Sequence, residues 1–457
     1  MPPDVREWLP DDDLAWTVLD AVGQLDLSGF RASYRPDGHG RPAYDPALMV
    51  ALLLFAYCDG VSSSRQIERR CERDVAYRVV AGNQRPDHAT LARFRIRHRE
   101  AIADLFVQVL GLCAAAGMVR VGLVALDGTK IASSASSMQN RTREQLDAEI
   151  AEQVQALLAT AEHTDAVEDA DHGEDRGDEP PPQLRGRQRR LARLQEAKAR
   201  LDAEAAQAQA AQDERRRAYE EKRAHGGRVG APPRPTPPRA GRAEPRVNVT
   251  DPDSRIMKGR HGWLQGYNAQ AIVGAGQLVL ANQVVNDATD YRSLHPMITA
   301  ARTNLDAVGV SERMRALVAD SGYGGSTNLT TDCEPILLIS TRSGRHKNRD
   351  KDRDKDPDED RAANSAPTNE ENSEEPFKDE ALNAMRRRLR TPAGKGLFRR
   401  RAHMIEPVFG QTKNRLGYRL RQRGLDNIST EWNLITTSHN LLKYRHHLLT
   451  TAATATG

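Results

Sequence analysis

A long interruption in the apolar pattern constrains the fold of this 457-residue chain more than any other feature of its sequence. From about Met138 to Arg246 the residues are largely charged or small, and the signal of a packed core stops. Apolar periodicity is present on both sides of this stretch. We therefore expect one core built from two distant segments, with the intervening stretch inserted into it.

The first segment predicts helices over residues 12–117. The run from Pro46 to Tyr57 is apolar nearly all round, which is typical of a central buried helix. Ser63 and Ser64 can cap a following helix, and Asp87 begins another helix with a basic face. Arginines at helical spacing suit a small DNA-binding bundle, and a dimerisation domain with solvated arginines is the alternative.

Short apolar runs on both sides of the interruption predict the strands of one sheet. The first lies within residues 119–131. Residues 266–273 and 277–285 alternate and are joined by Gly-Ala-Gly, which predicts a hairpin. Residues 316–320 and 335–340 predict two further strands. This order of strands and helices predicts an α/β or α+β fold with a mixed sheet flanked by helices.

The insertion and two other stretches have compositions of a different kind. Residues 140–160 and 186–224 predict long charged helices that could form a helical hairpin. The acidic stretch 166–182, the Pro-, Gly- and Arg-rich stretch 226–245 and the charged stretch 344–378 predict disordered links. We assign no chemistry to the insertion.

Composition excludes several classes of protein. The four cysteines are too far apart for a zinc site, and a chain of this size needs no disulfide framework, so we expect buried thiols. No apolar stretch reaches the roughly 18 residues of a membrane span. The N-terminus does not begin a signal peptide. We therefore expect a cytoplasmic protein with no membrane partner. The cysteines are Cys58, Cys71, Cys113 and Cys333.

Two aspartates follow predicted strands. Asp127 ends one apolar run and precedes Gly128, and Asp320 ends another. Parallel neighbouring strands would present both carboxylates at one edge of the sheet, where open α/β sheets bind ligands. Ordinary alternatives are a turn at Asp127 and a helix N-cap at Asp320. Asp287 and Asp290 also follow a strand and are rivals for the second carboxylate.

Glu406 is the one acidic residue in a strongly basic segment. The interval 386–423 holds thirteen Lys or Arg residues. We predict a helix beginning near Arg401. Pro407 favours a position near the start of this helix over one in its interior. Lys413 shares the helix face of Glu406, since it lies about two turns later. A simple salt bridge between Glu406 and a neighbouring Arg is the ordinary alternative.

Three carboxylates beside a cationic surface indicate metal-assisted phosphoryl transfer on DNA. Such a set can hold two Mg²⁺ ions about 4 Å apart, with Mn²⁺ as the alternative metal. One ion would activate water or a 3′ hydroxyl, and the other would stabilise the leaving oxygen. Lys413 and nearby arginines would neutralise phosphates. No Ser-His or Cys-His pattern and no P-loop competes with this interpretation.

In combination, these motifs resemble the bacterial insertion-sequence transposases of the DDE class. Residues 44–57, 64–68 and 86–95 are similar to the helical transposase N-terminal domain. The other matching segments carry the two aspartates and the glutamate of that family. They are Val124–Lys130 for the first Asp, residues 250–255, 266–270 and 318–323 for the segment ending in the second, and Ile405–Lys413 for the Glu.

The resemblance implies that Asp127, Asp320 and Glu406 are the catalytic, metal-binding triad of an RNase H-like core. It also implies cleavage at terminal inverted repeats and joining to target DNA. A homodimer would pair the DNA ends, and the protein would act in the cytoplasm, on the nucleoid. One departure is Phe398, which stands where the family often has a Tyr. Its phosphate hydrogen bond is then lost. The implied DNA contacts are Arg401, Lys413 and Arg415.

The predicted organisation has a helical DNA-binding domain, a divided catalytic core, an insertion and a linker. The all-α domain spans 1–118, the core comprises 119–137, 247–343 and the basic helical part 381–457, the insertion is 138–246, and the disordered linker is 344–380.

Two functions of other classes stay open. The first is a DNA-binding regulator of the element that has lost catalysis, and it predicts binding to inverted-repeat DNA without Mg²⁺-dependent nicking. The second is a structural scaffold built on the helices of residues 140–225. It predicts self-association that survives deletion of the core and no salt-sensitive affinity for DNA.

Overall fold

The computed structural model describes most of the chain, and it divides the chain into two compact units. Unit 1 comprises Met1–Ile131, Asn268–Gln422 and Asp426–Gly457, and unit 2 comprises Ala132–Tyr267 and Arg423–Leu425. The described residues are 4–34, 43–171, 182–225, 232, 244–259, 262–341, 377, 379–417 and 419–455. Nearly all of the predicted links 226–245 and 344–378 lie outside them.

The described part of the chain forms helices and strands in alternating groups. The helices are α1 (Leu14–Gly23), α2 (Ser28–Arg31), α3 (Pro46–Cys58), α4 (Ser64–Arg73), α5 (Val75–Val80), α6 (His88–Arg97), α7 (Arg99–Ala115), α8 (Arg143–Asp171), α9 (Pro182–Ala224), α10 (Leu294–Ala307), α11 (Ser326–Thr330), α12 (Glu380–Arg390), α13 (Pro392–Leu416) and α14 (Leu425–Ala455). The strands are β1 (Leu123–Ala132), β2 (Asn140–Arg141), β3 (Val247–Asn248), β4 (Arg255–Gly259), β5 (Gly262–Val273), β6 (Val279–Val285), β7 (Ala316–Ala319) and β8 (Ile336–Ile339).

The N-terminal part of unit 1 is all helical, which confirms the prediction for this region. The predicted central helix is α3, in which eleven of thirteen residues are buried. Its start is defined by Asp45, whose carboxylate accepts from the Ala47 amide, and by Pro46 in the first turn. An apolar surface on all sides requires neighbours on all sides, and α1 and α5 pack against this helix.

One of the two predicted helix caps is confirmed and the other is wrong. Asp87 caps α6 by accepting from the Thr90 amide at 2.8 Å. Ser63 precedes α4 but makes no side-chain cap, and the Ser64 hydroxyl accepts from Arg95 instead. The reason is that the buried Arg95 guanidinium needs oxygen acceptors, and it also donates to the Tyr57 hydroxyl at 3.0 Å.

The sheet of unit 1 has the strand order β6-β5-β1-β7-β8. β5 and β6 pair antiparallel, while β7 pairs parallel with both β1 and β8. The predicted mixed sheet flanked by helices is therefore confirmed. The predicted hairpin is also confirmed, with a short 3₁₀ turn over Ala275–Gln277 between its strands.

The core of unit 1 lies between this sheet and α10. Val124 and Leu126 of β1 and Leu317 of β7 are fully buried, and Met297 and Ala301 of α10 belong to the same cluster. Each large apolar side chain buried in this way contributes about 1.5–3 kcal/mol. The cluster thereby holds β1 and β7 in register next to Asp127 and Asp320.

Unit 2 contains the predicted helical hairpin, formed by α8 and α9. The prediction that residues 138–246 contribute no packed core is wrong. Leu146, Leu194 and Leu201 form a small core with Val247 and Val249. The predicted link at 166–182 is wrong for its first residues, since α8 continues to Asp171. A helix that has started gains one hydrogen bond per residue until Pro or Gly stops it. Residues 172–181 lie outside the described residues.

The cysteines are free thiols in the described part of the chain, as predicted. Cys58, Cys71 and Cys113 are buried, and burial raises the pKa of each thiol to about 11 or 12. Cys333 is only partly buried, so the prediction of a buried thiol is wrong for it. Among the described helices, none combines the length and the apolar character needed to cross a bilayer.

Candidate active site

Asp127 and Asp320 lie side by side because of the parallel register of two strands. Leu126 of β1 is the partner of Ala319 of β7, and each aspartate is the next residue of its strand. Neighbouring strands are about 4.8 Å apart, so the two carboxylates leave the ladder at the same level. The predicted placement at one sheet edge is confirmed. The prediction that Asp127 ends its strand is wrong, since β1 continues to Ala132 beside β5 while β7 stops.

Asp127 is a buried carboxylate with a cationic partner. Its side chain is 16% exposed, and its Oδ2 accepts from Nη1 of Arg401 at 3.2 Å. Burial raises its pKa to about 6, the Arg401 guanidinium opposes this shift, and the charge of Asp320 adds to it. The carboxylate form of Asp127 is therefore held at a cost in free energy, which a bound cation would offset.

Asp320 serves as the N-cap of a 3₁₀ turn over Ser321–Tyr323. Its Oδ1 accepts from the Gly322 amide at 2.8 Å, so the ordinary alternative of an N-cap is also correct. Burial raises the pKa of Asp320, the Gly322 hydrogen bond lowers it, and the charge of Asp290 raises it again. Arg401 and Lys130 both act to lower this pKa. The two cations thus stabilise a group of carboxylates that repel one another.

Asp290, one of the rivals weighed from the sequence, is the third carboxylate of this group. Its Oδ1 accepts from Lys130 Nζ at 3.0 Å, from Asn268 Nδ2 at 2.7 Å and from Gln270 Nε2 at 2.8 Å. Its side chain is 20% exposed. This oxygen already has three donors, which tie Asp290 Oδ1 into the sheet.

Gly128 permits this network to approach β1. A Cβ atom at this position would lie 2.2 Å from Gln270 Nε2 and 2.6 Å from Asp290 Oδ1. Any side chain would therefore displace the network. Gln270 is held from its other end by the buried Tyr323 hydroxyl, which donates to its Oε1. The Gly after Asp127 is thus explained by packing on one face of β1.

The other face of β1 contacts α13. Asp127 and Thr129 share this face, because alternate residues of a strand point the same way. Arg401 of α13 contacts Asp127, and Lys413 of the same helix donates to the Thr129 hydroxyl. Burial lowers the pKa of Lys413, and the charge of Asp127 acts to raise it. Two cations of α13 therefore lie beside the Asp127 strand.

Glu406 lies on α13 between these two cations, and its side chain is exposed. Within the described residues it makes no hydrogen bond and no ion pair, so neither the predicted assembly nor a simple salt bridge is present for it. The prediction of a helix start near Arg401 is wrong, because α13 begins at Pro392 after the cap Thr391 and passes through Pro407. The basic segment 386–423 therefore spans the end of α12, the whole of α13 and the residues that follow it, and the cap at Thr391 sets where α13 begins.

The three residues predicted to contact DNA differ in exposure. Arg401 is 17% exposed and paired with Asp127, and Lys413 is half-buried against Thr129. Arg415 lies against Gly60 and near Cys58, and burial lowers the pKa of its guanidinium. Its Nε and Nη2 atoms are buried and have no hydrogen-bond partner among the described residues.

The donor set at Asp127 and Asp320 fits a hard divalent cation. Carboxylate oxygens are the ligands that Mg²⁺ prefers, and burial of two like charges favours a cation between them. The third predicted carboxylate is not part of this pair here. No group of three or more His, Cys, Asp or Glu placed to hold a metal occurs in the described ranges.

Sequence reasoning missed Lys130, Asn268, Gln270 and Thr129. Two of them could have been identified from the sequence, since Asn268 and Gln270 are polar residues at alternate positions in the largely apolar second half of a strand. They therefore point to one face, and a buried polar pair on one face requires a polar partner. Lys130 and Thr129 carry no such signal, because their partners are distant in sequence.

Comparison with known proteins gives two family matches. The family described as Transposase domain (DUF772) matches residues 3–97, and the family described as Transposase DDE domain matches residues 362–445. The second match includes Glu406, Arg401 and Lys413, whereas Asp127 and Asp320 lie outside both. No curated protein and no solved structure matches the chain. The two matches, in this order along a chain with a mixed α/β fold, support its recognition as an insertion-sequence transposase of the DDE class.

Proposed function

We propose that this transposase cleaves a phosphodiester at each end of its insertion sequence and joins the freed 3′ hydroxyl to target DNA. The observation that carries the proposal is the pair of carboxylates at the end of the β1–β7 ladder, Asp127 largely buried and Asp320 partly buried, with the basic helix α13 against β1. Buried like charges destabilise the fold, so such a pair is typical of a functional site. The partners in this proposal are terminal inverted repeats and target DNA, bound by a homodimer in the cytoplasm, on the nucleoid.

In this proposal Asp127 and Asp320 hold Mg²⁺ or Mn²⁺ through their carboxylate oxygens. A divalent ion bound there supplies Lewis acidity toward a phosphoryl oxygen and lowers the pKa of a bound water or hydroxyl. Arg401 neutralises Asp127 in the absence of the ion. With an ion held by the two aspartates, the Arg401 guanidinium would be free to bind the phosphate of the DNA strand.

Glu406 completes the metal site through a rearrangement of α13. Its helix is already fixed to β1 on both sides, by Arg401 at Asp127 and by Lys413 at Thr129. A shift of the intervening turns that keeps the hydrogen bonds of the Glu406 turn would bring the Glu406 carboxylate toward the aspartate pair. Lys413 and Arg415 would then contact the DNA backbone, where positive charge is favourable.

The proposal is tested with Asp127→Asn, Asp320→Asn and Glu406→Gln. Each substitution keeps the shape of the side chain and removes its charge, so each should abolish Mg²⁺-dependent nicking of inverted-repeat DNA. Binding to the same DNA should persist, because the basic residues are unchanged. The matched control is Asp306→Asn, an exposed aspartate paired with Arg302, which should nick like the wild type. Undiminished nicking by all three variants would refute the assignment.

A DNA-binding regulator without catalysis is the second candidate function. The observation in its favour is that Glu406 is exposed and not joined to the aspartate pair. It predicts that the wild-type protein binds the inverted repeats but produces no nick with Mg²⁺ or Mn²⁺. The two functions are therefore separated by the same assay on the wild-type protein.

A further inference from the structure

The turn of α13 that carries Glu406 lacks one of its backbone hydrogen bonds. Pro407 has no N–H, so the carbonyl oxygen of His403, four residues earlier, has no donor within the helix. A proline inside a helix costs about 3 kcal/mol or more, because it removes this hydrogen bond and its ring crowds the same carbonyl oxygen. Glu406 therefore lies in a weakened turn of the helix.

A side chain from the β5–β6 turn supplies the missing donor. Gln277 donates its Nε2 to the carbonyl oxygen of His403 at 3.3 Å. Its Oε1 accepts from Gln411 at 3.2 Å, which lies on the other side of Glu406 along the helix. The same Oε1 accepts from Lys443 of α14 at 2.7 Å. One amide thus contacts α13 both before and after Glu406.

The backbone of Gln277 is itself held in an unusual conformation. Its φ is +64°, in the left-handed region that residues other than Gly seldom adopt. Its carbonyl oxygen accepts from His439 Nε2 of α14 at 2.8 Å. A strained residue that is fixed at both its backbone and its side chain indicates a constraint imposed by the surrounding structure.

We infer that Gln277 is a positioning residue that sets the orientation of the Glu406 turn relative to the Asp127–Asp320 pair. It acts by replacing the hydrogen bond that Pro407 removes. With this bond present, the turn has a defined geometry despite the proline. Without it, the turn samples several orientations, and Glu406 reaches the aspartate pair less often. The inference rests on the proposed metal-dependent nicking.

The test is a double-mutant cycle with Gln277→Asn and Pro407→Ala. Asn tolerates the left-handed backbone and keeps the amide, but it is one methylene shorter and cannot reach His403. Pro407→Ala restores an N–H that can bond the His403 carbonyl within the helix. Gln277→Asn and the double variant Gln277→Asn/Pro407→Ala both lose the contacts of Oε1 with Gln411 and Lys443. Any function that Pro407→Ala restores to Gln277→Asn is therefore due to the hydrogen bond at the His403 carbonyl.

The readout is the Mg²⁺ concentration that gives half-maximal nicking. Loss of a group that orients a metal ligand typically weakens metal affinity by about 10–100-fold, so Gln277→Asn should raise this concentration by about tenfold. DNA binding should not change. Pro407→Ala in the Gln277→Asn background should return the Mg²⁺ dependence to near that of the wild type. An unchanged Mg²⁺ dependence in Gln277→Asn, or no rescue by Pro407→Ala, overturns the inference.

A second readout does not depend on activity. Amide hydrogen exchange of residues 404–411, measured on the full chain without metal, should be faster in Gln277→Asn and restored in the double variant. If the wild type does not nick at all, the proposed function fails while the exchange data still decide whether Gln277 holds this turn. Equal exchange in all variants rules the positioning role out.

Discussion

At the scale of single residues, Asp127 illustrates the cost of the site. A carboxylate in a protein interior prefers its protonated form, and a neighbouring carboxylate strengthens that preference. Arg401 offsets only part of this, because the pKa of Asp127 is still raised to about 6. The folded state therefore favours neutral Asp127 more than the unfolded chain does. Above pH 6 this difference reduces the free energy of unfolding.

We therefore predict that Asp127→Asn stabilises the metal-free protein at neutral pH. Two pKa units correspond to about 3 kcal/mol, and at pH 7.5, above both pKa values, the gain should approach this figure. The gain should shrink as the pH falls from 6 to 4, since the wild-type carboxyl then becomes protonated. The measurement is urea unfolding in EDTA at several pH values. Asp306→Asn, at an exposed aspartate, is the control that should show no gain, and a destabilised Asp127→Asn would contradict the prediction.

At the scale of elements, the helical hairpin of unit 2 shows how charged helices acquire a core. Both α8 and α9 carry many charged residues, and salt bridges such as Lys198 with Asp147 and Arg190 with Glu149 cross between them. Exposed pairs of this kind contribute little, typically 0–1 kcal/mol. The buried leucines must therefore supply most of the packing free energy of the hairpin.

We predict that Leu146→Ala loosens the hairpin while Leu158→Ala does not. Both residues lie on α8, but Leu146 is fully buried and Leu158 is 60% exposed. Truncation of a buried Leu costs about 2–5 kcal/mol, and truncation of an exposed Leu costs little. The measurement is hydrogen exchange of α8 and α9 in the full chain. Similar exchange in the two variants would show that the charged pairs, and not the small core, hold the hairpin.

At the scale of the whole molecule, α14 makes stability depend on pH through His439. This residue is buried, and burial lowers its pKa to about 4, with Lys443 and Arg415 adding to the shift. The hydrogen bond to the Gln277 carbonyl opposes the shift. A histidine with a lowered pKa contributes fully above its unfolded pKa of about 6.5, and its contribution is lost as the pH falls toward 4.

We predict that the stability advantage of the wild type over His439→Gln declines on acidification. Gln keeps a donor for the Gln277 carbonyl but does not titrate. Between pH 7 and pH 4 the difference in unfolding free energy should fall by about 3 kcal/mol. Carboxylates that titrate in the same range cancel in this difference. The measurement is thermal or urea unfolding of both proteins, and parallel stability curves would contradict the prediction.

How much of the site could be predicted differs from residue to residue. Asp127 and Asp320 each follow an apolar run, so the sequence predicted a carboxylate at the end of each strand. That the two strands are parallel neighbours, and the carboxylates therefore close together, was decided by the fold. Asp290 was only a rival, because nothing local shows that Lys130, Asn268 and Gln270 meet it. Gln277 gave no signal at all, since its partners on α13 and α14 are more than a hundred residues away.

The sequence by itself determined which segments become helices or strands and which strands carry carboxylates, because apolar periodicity and caps act within a few residues. Tertiary structure alone decided the neighbours of those carboxylates. Strand order, the β1–β7 register and the course of α13 depend on contacts between residues distant in the chain. For that reason the two strand-terminal aspartates were foreseen, whereas the exposed position of Glu406 and the hydrogen bond that replaces the one lost at Pro407 were not.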